Sequence, residues 1–236
     1  MKVLFVTNMY PTKEHPADGV FVKEQIDSIT QAFKCQYDLY YINAKQKGKL
    51  NYLISLLALP FKIRSSRYQI IHIHYGISGL FLLLFKPRLS KIFLTLHGGD
   101  ILDKQGYFIQ VFLTKRILSR VDKVFLQNEE MKDIVREYNK NYEIIPCGVN
   151  SEFFRPITIY DKADVNTRLI IFPSSPDRWE KNFQLFADAM EHLKKTSSYK
   201  IEFDCLHNLS RSEVRELLNR ADCLLLTSIS EGSPQV

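Results

Sequence analysis

Leu96-His97-Gly98-Gly99-Asp100 places an imidazole and a carboxylate three residues apart, separated by two glycines, directly behind the strand-like run Lys91–Leu96. Glycines there leave the ring exposed and let the backbone bend around a ligand. His97 can then donate to a sugar or phosphate oxygen, or act as an acid or base; equally, the segment can be a turn in which Asp100 caps the next helix. Arg178 and Lys181 lie in the loop Pro173–Asn182, at or before the first turn of a helix. Cations are unfavourable there unless they compensate an anion, because the helix dipole is already positive. A diphosphate clamp accounts for them, and so does a pair of solvated charges beside Asp177 and Glu180. Glu231-Gly232 puts a carboxylate at a further strand end, suited to accept hydrogen bonds from hydroxyls or to cap a helix. Gly19 closes a long polar loop at a helix N-terminus, where free N–H groups favour anions; taken alone it reads as a loop glycine with positive φ. His72 and His74 share one strand face at a spacing that can bind metal, but no third ligand is suitably spaced, and hydrogen-bonded core or rim histidines are preferred.

These residues matter because of the elements that must carry them. Strand-like runs at Lys2–Thr7, Tyr37–Ile42, Gln69–His74, Lys91–Leu96, Lys123–Gln127 and Tyr142–Pro146 alternate with helical patterns at Val20–Phe33, Leu50–Ser65, Gly76–Phe85, Phe108–Leu118 and Met131–Tyr138. The helix from Leu50 is expected to be strained or to end near Pro60. Several strands lack a polar face, the mark of a parallel sheet covered on both sides. After a polar pause at 150–167 the alternation restarts with strands at Leu169–Phe172, Lys200–Leu206 and Cys223–Leu226 and helices at Phe183–Lys194 and Ser210–Ala221. Ser210 followed by Glu213 reads as a capping box. The expected fold class is therefore α/β, with two Rossmann-like parallel-sheet domains, 1–157 and 158–236. In such sheets ligands gather at the carboxyl ends of the strands, where the loops above lie. The second domain is expected to be incomplete, since the chain stops just past a strand where a helix would begin.

The composition admits this. The 236 residues are 45% apolar and 25% charged, with a net charge of +6, which excludes disordered and fibrous classes. Charge is uneven: residues 1–160 carry +8 and residues 161–236 carry −2, so an anionic partner is expected for the first part. Cys35, Cys147, Cys205 and Cys223 are scattered and read as reduced thiols of a cytoplasmic protein. No apolar run reaches the roughly 18–20 residues of a spanning helix. Absence of GxGxxG behind the first strand argues against a nicotinamide dehydrogenase, and no basic stripe with interleaved aromatics suggests nucleic-acid binding.

Taken together the segments IIHIHYGISG (70–79), TLHGGD (95–100), IIPCGVNSEFFRP (144–156), EKNF (180–183) and ADCLLLTSISEGSPQV (221–236) resemble glycosyltransferase family 4, retaining enzymes of the two-Rossmann GT-B architecture. The resemblance implies transfer of a sugar from a nucleotide-diphosphate-sugar to a glycan or lipid-linked acceptor with retention, in cell-surface polysaccharide synthesis. By it, His97 matches the histidine facing the donor sugar, Lys181 the lysine holding the diphosphate, and Arg178 its partner, although three residues before Lys181 is closer than usual. Glu231 matches the first Glu of the EX7E motif, beside Gly232 and Ser233 in the donor site, and Gly19 the glycine near the donor phosphates. No metal or other cofactor is expected, because the Arg/Lys pair and helix-terminal N–H groups neutralise the leaving diphosphate. The second Glu of the motif would fall beyond residue 236, so a C-terminally truncated chain that is inactive as given is expected. The alternative is a natural non-catalytic binding or interaction module; a nucleotide-sugar epimerase of similar fold is disfavoured by the EGSP segment. The basic first domain and the Leu/Ile-rich helix from Leu50 fit peripheral contact with an anionic membrane face, on the cytoplasmic side, though ordinary core packing of that helix is the preferred reading.

Overall fold

The computed structural model describes residues 1–16, 18–102, 106–157 and 165–229. The chain divides into two compact units, Met1–Gly148 and Val149–Val236. In the first, β1 (Lys2–Thr7), α1 (Val20–Phe33), β2 (Gln36–Tyr41), α2 (Ala44–Lys47), α3 (Leu50–Ser66) and β3 (Ile70–His74) are followed by a 3-10 segment, Gly76–Leu83. Then come β4 (Lys91–Thr95), α4 (Phe108–Leu118), β5 (Lys123–Leu126), α5 (Lys132–Val135) and β6 (Tyr142–Ile144). All six strands are parallel, in the order β2-β1-β3-β4-β5-β6.

That order has a consequence for function. From β1 the chain moves outward to β2, then returns past β1 to β3, so the connections leaving β1 and β3 run to opposite faces. Right-handed crossovers put α1 on one face and α3, the 3-10 segment and α4 on the other. The packing agrees: Val22 and Ile26 of α1 close over Val3 and Phe5, whereas Leu59, Ile63, Phe81, Leu82 and Ile117 cover Leu4, Val6, Ile71, Ile73 and Leu94. Strands sandwiched this way have no polar face, which is why Val3–Thr7 are all buried. The carboxyl ends of β1 and β3 flank the switch point, the place where an open sheet of this kind offers a crevice.

The third helix agrees with its expected range, Leu50–Ser65, and runs through Pro60 to Ser66; buried Leu59 and Ile63 hold the turns on either side of the proline against the core. Two elements depart from expectation. The expected helix at Gly76–Phe85 is a 3-10 segment over Gly76–Leu83. The one expected at Met131–Tyr138 is split into a 3-10 turn, Glu129–Met131, and the single turn of α5.

The second unit carries a smaller parallel sheet, β8-β7-β9, from β7 (Thr167–Phe172), β8 (Lys200–Cys205) and β9 (Cys223–Leu224). α6 (Phe183–Thr196) lays Phe186 and Met190 on Ile170, Phe172 and Ile201. α7 (Arg211–Arg220) begins with the expected capping box: the Ser210 hydroxyl accepts from the Glu213 N–H at 3.3 Å, and the Glu213 carboxylate accepts from the Ser210 N–H at 2.6 Å. Because β7 lies between β8 and β9, this sheet too has a switch point, between β7 and β9.

Candidate functional site

In the first unit the site grows from the carboxyl ends of β1, β3, β4 and β5. Register aligns Thr7, His74, Thr95 and Phe125 in one row across the sheet. One step down, the His72 ring stacks on His74 with centroids 4.6 Å apart, and its Nε2 shares a 2.8 Å hydrogen bond with the Thr95 hydroxyl. The histidine pair thus sits in the hydrogen-bonded sheet interior. Among the described residues no group of three His, Cys, Asp or Glu side chains could hold a metal ion.

His97 stands just past β4 and is half-buried. Its ring contacts Tyr75 at 4.4 Å and Phe21 at 5.0 Å between centroids, and stacks toward His74 at 5.6 Å. The Gln127 amide, at the end of β5, bonds His97 Nδ1 and also donates to the Cys147 Sγ at 2.9 Å. With that amide donating, the ring keeps its proton on Nε2, which faces His74 Nδ1 at 3.4 Å. Burial among these rings drives the His97 pKa down to about 3 and that of His72 to about 4, and pushes His74 well below the usual imidazole range. At neutral pH His97 is therefore a neutral imidazole, a hydrogen-bonding group and not a cation.

Asp100 does something the residue pattern did not disclose. It does not cap the following helix; its fully buried carboxylate accepts from the Gly76 N–H at 2.9 Å and from the His97 N–H at 3.0 Å, tying the loop after β3 to the loop after β4. Burial raises its pKa to about 6, against the pull of those N–H donors. Gly76 can be nothing larger, since a Cβ there would lie 2.2 Å from the Thr114 side chain. Gly19, the N-cap of α1, has φ 64, and a Cβ would lie 2.6 Å from the Met9 carbonyl. It therefore packs backbone to backbone against the loop after β1, beside the switch point. Neither Gln127 nor Cys147 is among the site residues expected from the sequence; registering the strand ends side by side points to Gln127, which follows β5 as His97 follows β4.

In the second unit the loop after β7 ends in a 3-10 turn, Trp179–Lys181, leading into α6 through Asn182. Asn182 has φ 53 and caps α6, its side chain accepting from the Leu185 N–H at 3.4 Å. The Arg178 guanidinium donates twice to Glu180 Oε1, at 2.6 and 2.8 Å. Burial pushes the Glu180 pKa up, but its own N–H and Arg178 outweigh that and hold it low. The stretch after β9 clasps this turn: the Thr227 hydroxyl donates to the carbonyls of Lys181 and Asn182 at 3.1 and 3.0 Å, and the Ile229 N–H donates to the Glu180 carbonyl at 3.0 Å. Arg178, Lys181 and the segment up to Ile229 are thus gathered at the carboxyl ends of β7 and β9. Glu231, Gly232 and Ser233 lie outside the described residues.

The sheet architecture is shared with known proteins. The sequence model of Glycosyltransferase Family 4 matches residues 18–153, more than half of the chain. The chain belongs to that family. No curated protein sequence matches it. Among solved structures, sucrose-phosphate synthase from Thermosynechococcus elongatus aligns over 99% of this chain and 76% of its own, at 13% identity and a TM-score of 0.67. The lipopolysaccharide outer core galactosyltransferase WaaB, in its apo form, aligns over 99% of this chain and 76% of its own, at 12% identity and a TM-score of 0.56. Anabaena HepE in complex with UDP and glucose aligns over 98% and 75%, at 12% identity and 0.58. At these identities the likeness is one of fold: parallel-sheet α/β units of the GT-B glycosyltransferase kind, the second smaller.

Proposed function

We propose that the protein transfers a sugar from a nucleotide-diphosphate-sugar to a glycan or lipid-linked acceptor with retention at the anomeric carbon, in the synthesis of cell-surface polysaccharide. The observation that carries the reading is His97, a neutral imidazole held by Gln127 through its ring and by Asp100 through its backbone at the carboxyl edge of a family 4 sheet. In this reading the neutral ring exchanges the long 3.4 Å contact of its Nε2–H with His74 Nδ1 for a hydrogen bond to a sugar hydroxyl or ring-side oxygen. The bond from the anomeric carbon to the diphosphate oxygen breaks while the acceptor oxygen bonds the same carbon on the same face, the acceptor's hydroxyl proton passing to the departing diphosphate oxygen. Lys181 at the start of α6 takes the charge that develops on the departing diphosphate, aided by the N-terminal N–H groups of that helix. Arg178 joins it by exchanging the Glu180 carboxylate for phosphate, an exchange of like hydrogen bonds. Glu231, with Gly232 and Ser233, orients the sugar, and Gly19 gives its backbone to the phosphate side. No metal is required by this scheme. The setting is the cytoplasmic face of a membrane.

The test is release of nucleoside diphosphate from a panel of nucleotide sugars offered with glycan and lipid-linked acceptors. With the full-length protein one donor is expected to turn over, and His97→Ala is expected to lower kcat by about a hundredfold or more while leaving nucleotide affinity in place. A protein that releases nothing from any donor, yet binds an acceptor glycan, would favour the interaction-module reading instead.

A further inference from the structure

α3 is apolar on two sides, and only one of them is used. Leu59 and Ile63 face the core, with Tyr52 and Leu56 partly buried beside them. On the other side Leu50, Leu53, Ile54, Leu57 and Phe61 form a stripe at helical spacing, about 100° wide, every member more than half exposed and Leu57 and Phe61 at 78% and 77%. Such a face on a stable helix calls for a partner.

The charge around it says which. From residue 39 to residue 99 there is no Asp or Glu, while nine Lys and Arg occur. Lys47 and Lys49 precede the stripe, and Arg64 and Arg67 follow it; all four are exposed. α4 packs on the same 3-10 segment as α3 and adds exposed Phe108, Ile109 and Phe112, with Arg116 lying over the Phe112 ring. An apolar stripe bracketed by cations with no acid among them is complementary to an apolar layer beneath negative headgroups. A second copy of the chain fits it worse, because a two-fold contact would set this acid-free basic segment against itself.

We infer that the outer face of α3 docks the protein on an anionic lipid bilayer, lying in the interface with Leu53, Leu57 and Phe61 as the inserted residues. The inference deepens the membrane setting proposed above but rests on α3 itself, so it stands or falls separately from the transfer reaction.

Co-sedimentation of the whole chain with phosphatidylcholine vesicles, with and without phosphatidylglycerol, tests it. Binding is expected to the anionic vesicles and to weaken as salt is added. The double substitution Leu57→Glu/Phe61→Glu should lower the partition at least about tenfold, and Lys47→Gln and Lys49→Gln about fivefold each. Phe33→Ser, an exposed aromatic of α1 on the opposite face of the sheet, should change nothing. Circular dichroism of each variant confirms the fold. Equal binding by wild type and the Leu57→Glu/Phe61→Glu protein, or no binding to anionic vesicles, overturns the inference. So does a dimer that this double substitution dissociates while vesicle binding stays absent. Lost vesicle binding with unchanged donor turnover supports it, and vesicle binding without turnover counts only against the enzymatic reading.

Discussion

His97 is held from two directions, by a carboxylate on its own backbone and by an amide on its ring. Asp100 supplies the first, and its removal leaves the buried N–H groups of Gly76 and His97 without an acceptor. Asp100→Ala should therefore cost about 1–3 kcal/mol of stability, read as a fall in the denaturation midpoint. A variant as stable as wild type would show that the tie carries no weight. Gly19→Ala faces a harder obstacle, since its Cβ would strike backbone atoms of Met9 and Tyr10 that cannot rotate away. Left-handed backbone and that clash together should cost on the order of 2 kcal/mol or more, seen in the same measurement. At this scale the residue types were informative and their partners were not. A histidine followed by two glycines at a strand end marks His97 as a chemical group. That Asp100 turns back to Gly76 instead of capping a helix depends on β3 and β4 being neighbours, a fact of sheet order that no local spacing contains.

At the scale of elements, two adjacent strands of one sheet bring three imidazoles together at their carboxyl ends, and burial holds all three neutral. Each has a folded pKa below the unfolded value of about 6.5, so the stability it contributes is present above that pH and is lost as pH falls toward about 4 for His72 and about 3 for His97. Asp100 acts in the opposite sense: its folded pKa of about 6 is raised, so its contribution is present at low pH and is lost as pH rises through that value. Three groups against one give a net loss on acidification, each responding group worth up to about 1.4 kcal/mol per pH unit. Urea midpoints taken from about pH 7 to about pH 5 should fall steeply, and His72→Gln should flatten the slope; a level profile for the wild type would contradict this. The strands and most helices were readable from the alternation of apolar runs, because a parallel sheet covered on both faces leaves that trace. α3 was only half readable. With apolar residues all round it, no period told the covered face from the open one, and core packing accounts for Leu59 and Ile63 but not for Leu57 and Phe61.

For the whole molecule, the division of charge follows the division of structure, with the basic excess in the unit that carries α3 and a slight acidic excess beyond residue 160. Among the described residues no helix is long and apolar enough to cross a membrane. The family was legible from motifs strung along the entire chain, and the matched region at residues 18–153 bears it out. Roles within the site were legible only through the resemblance, because a lysine at a helix start looks the same whether it meets phosphate or water. The account therefore turns on Lys181 at the start of α6. Titration calorimetry with uridine, guanosine and adenosine diphosphates, on the wild type and on Lys181→Ala, addresses it most directly. One nucleotide should bind, and Lys181→Ala should weaken that binding about tenfold or more, as expected for losing a hydrogen bond to a charged group. Identical affinity in the two proteins, or no binding of any of the three, would contradict the assignment.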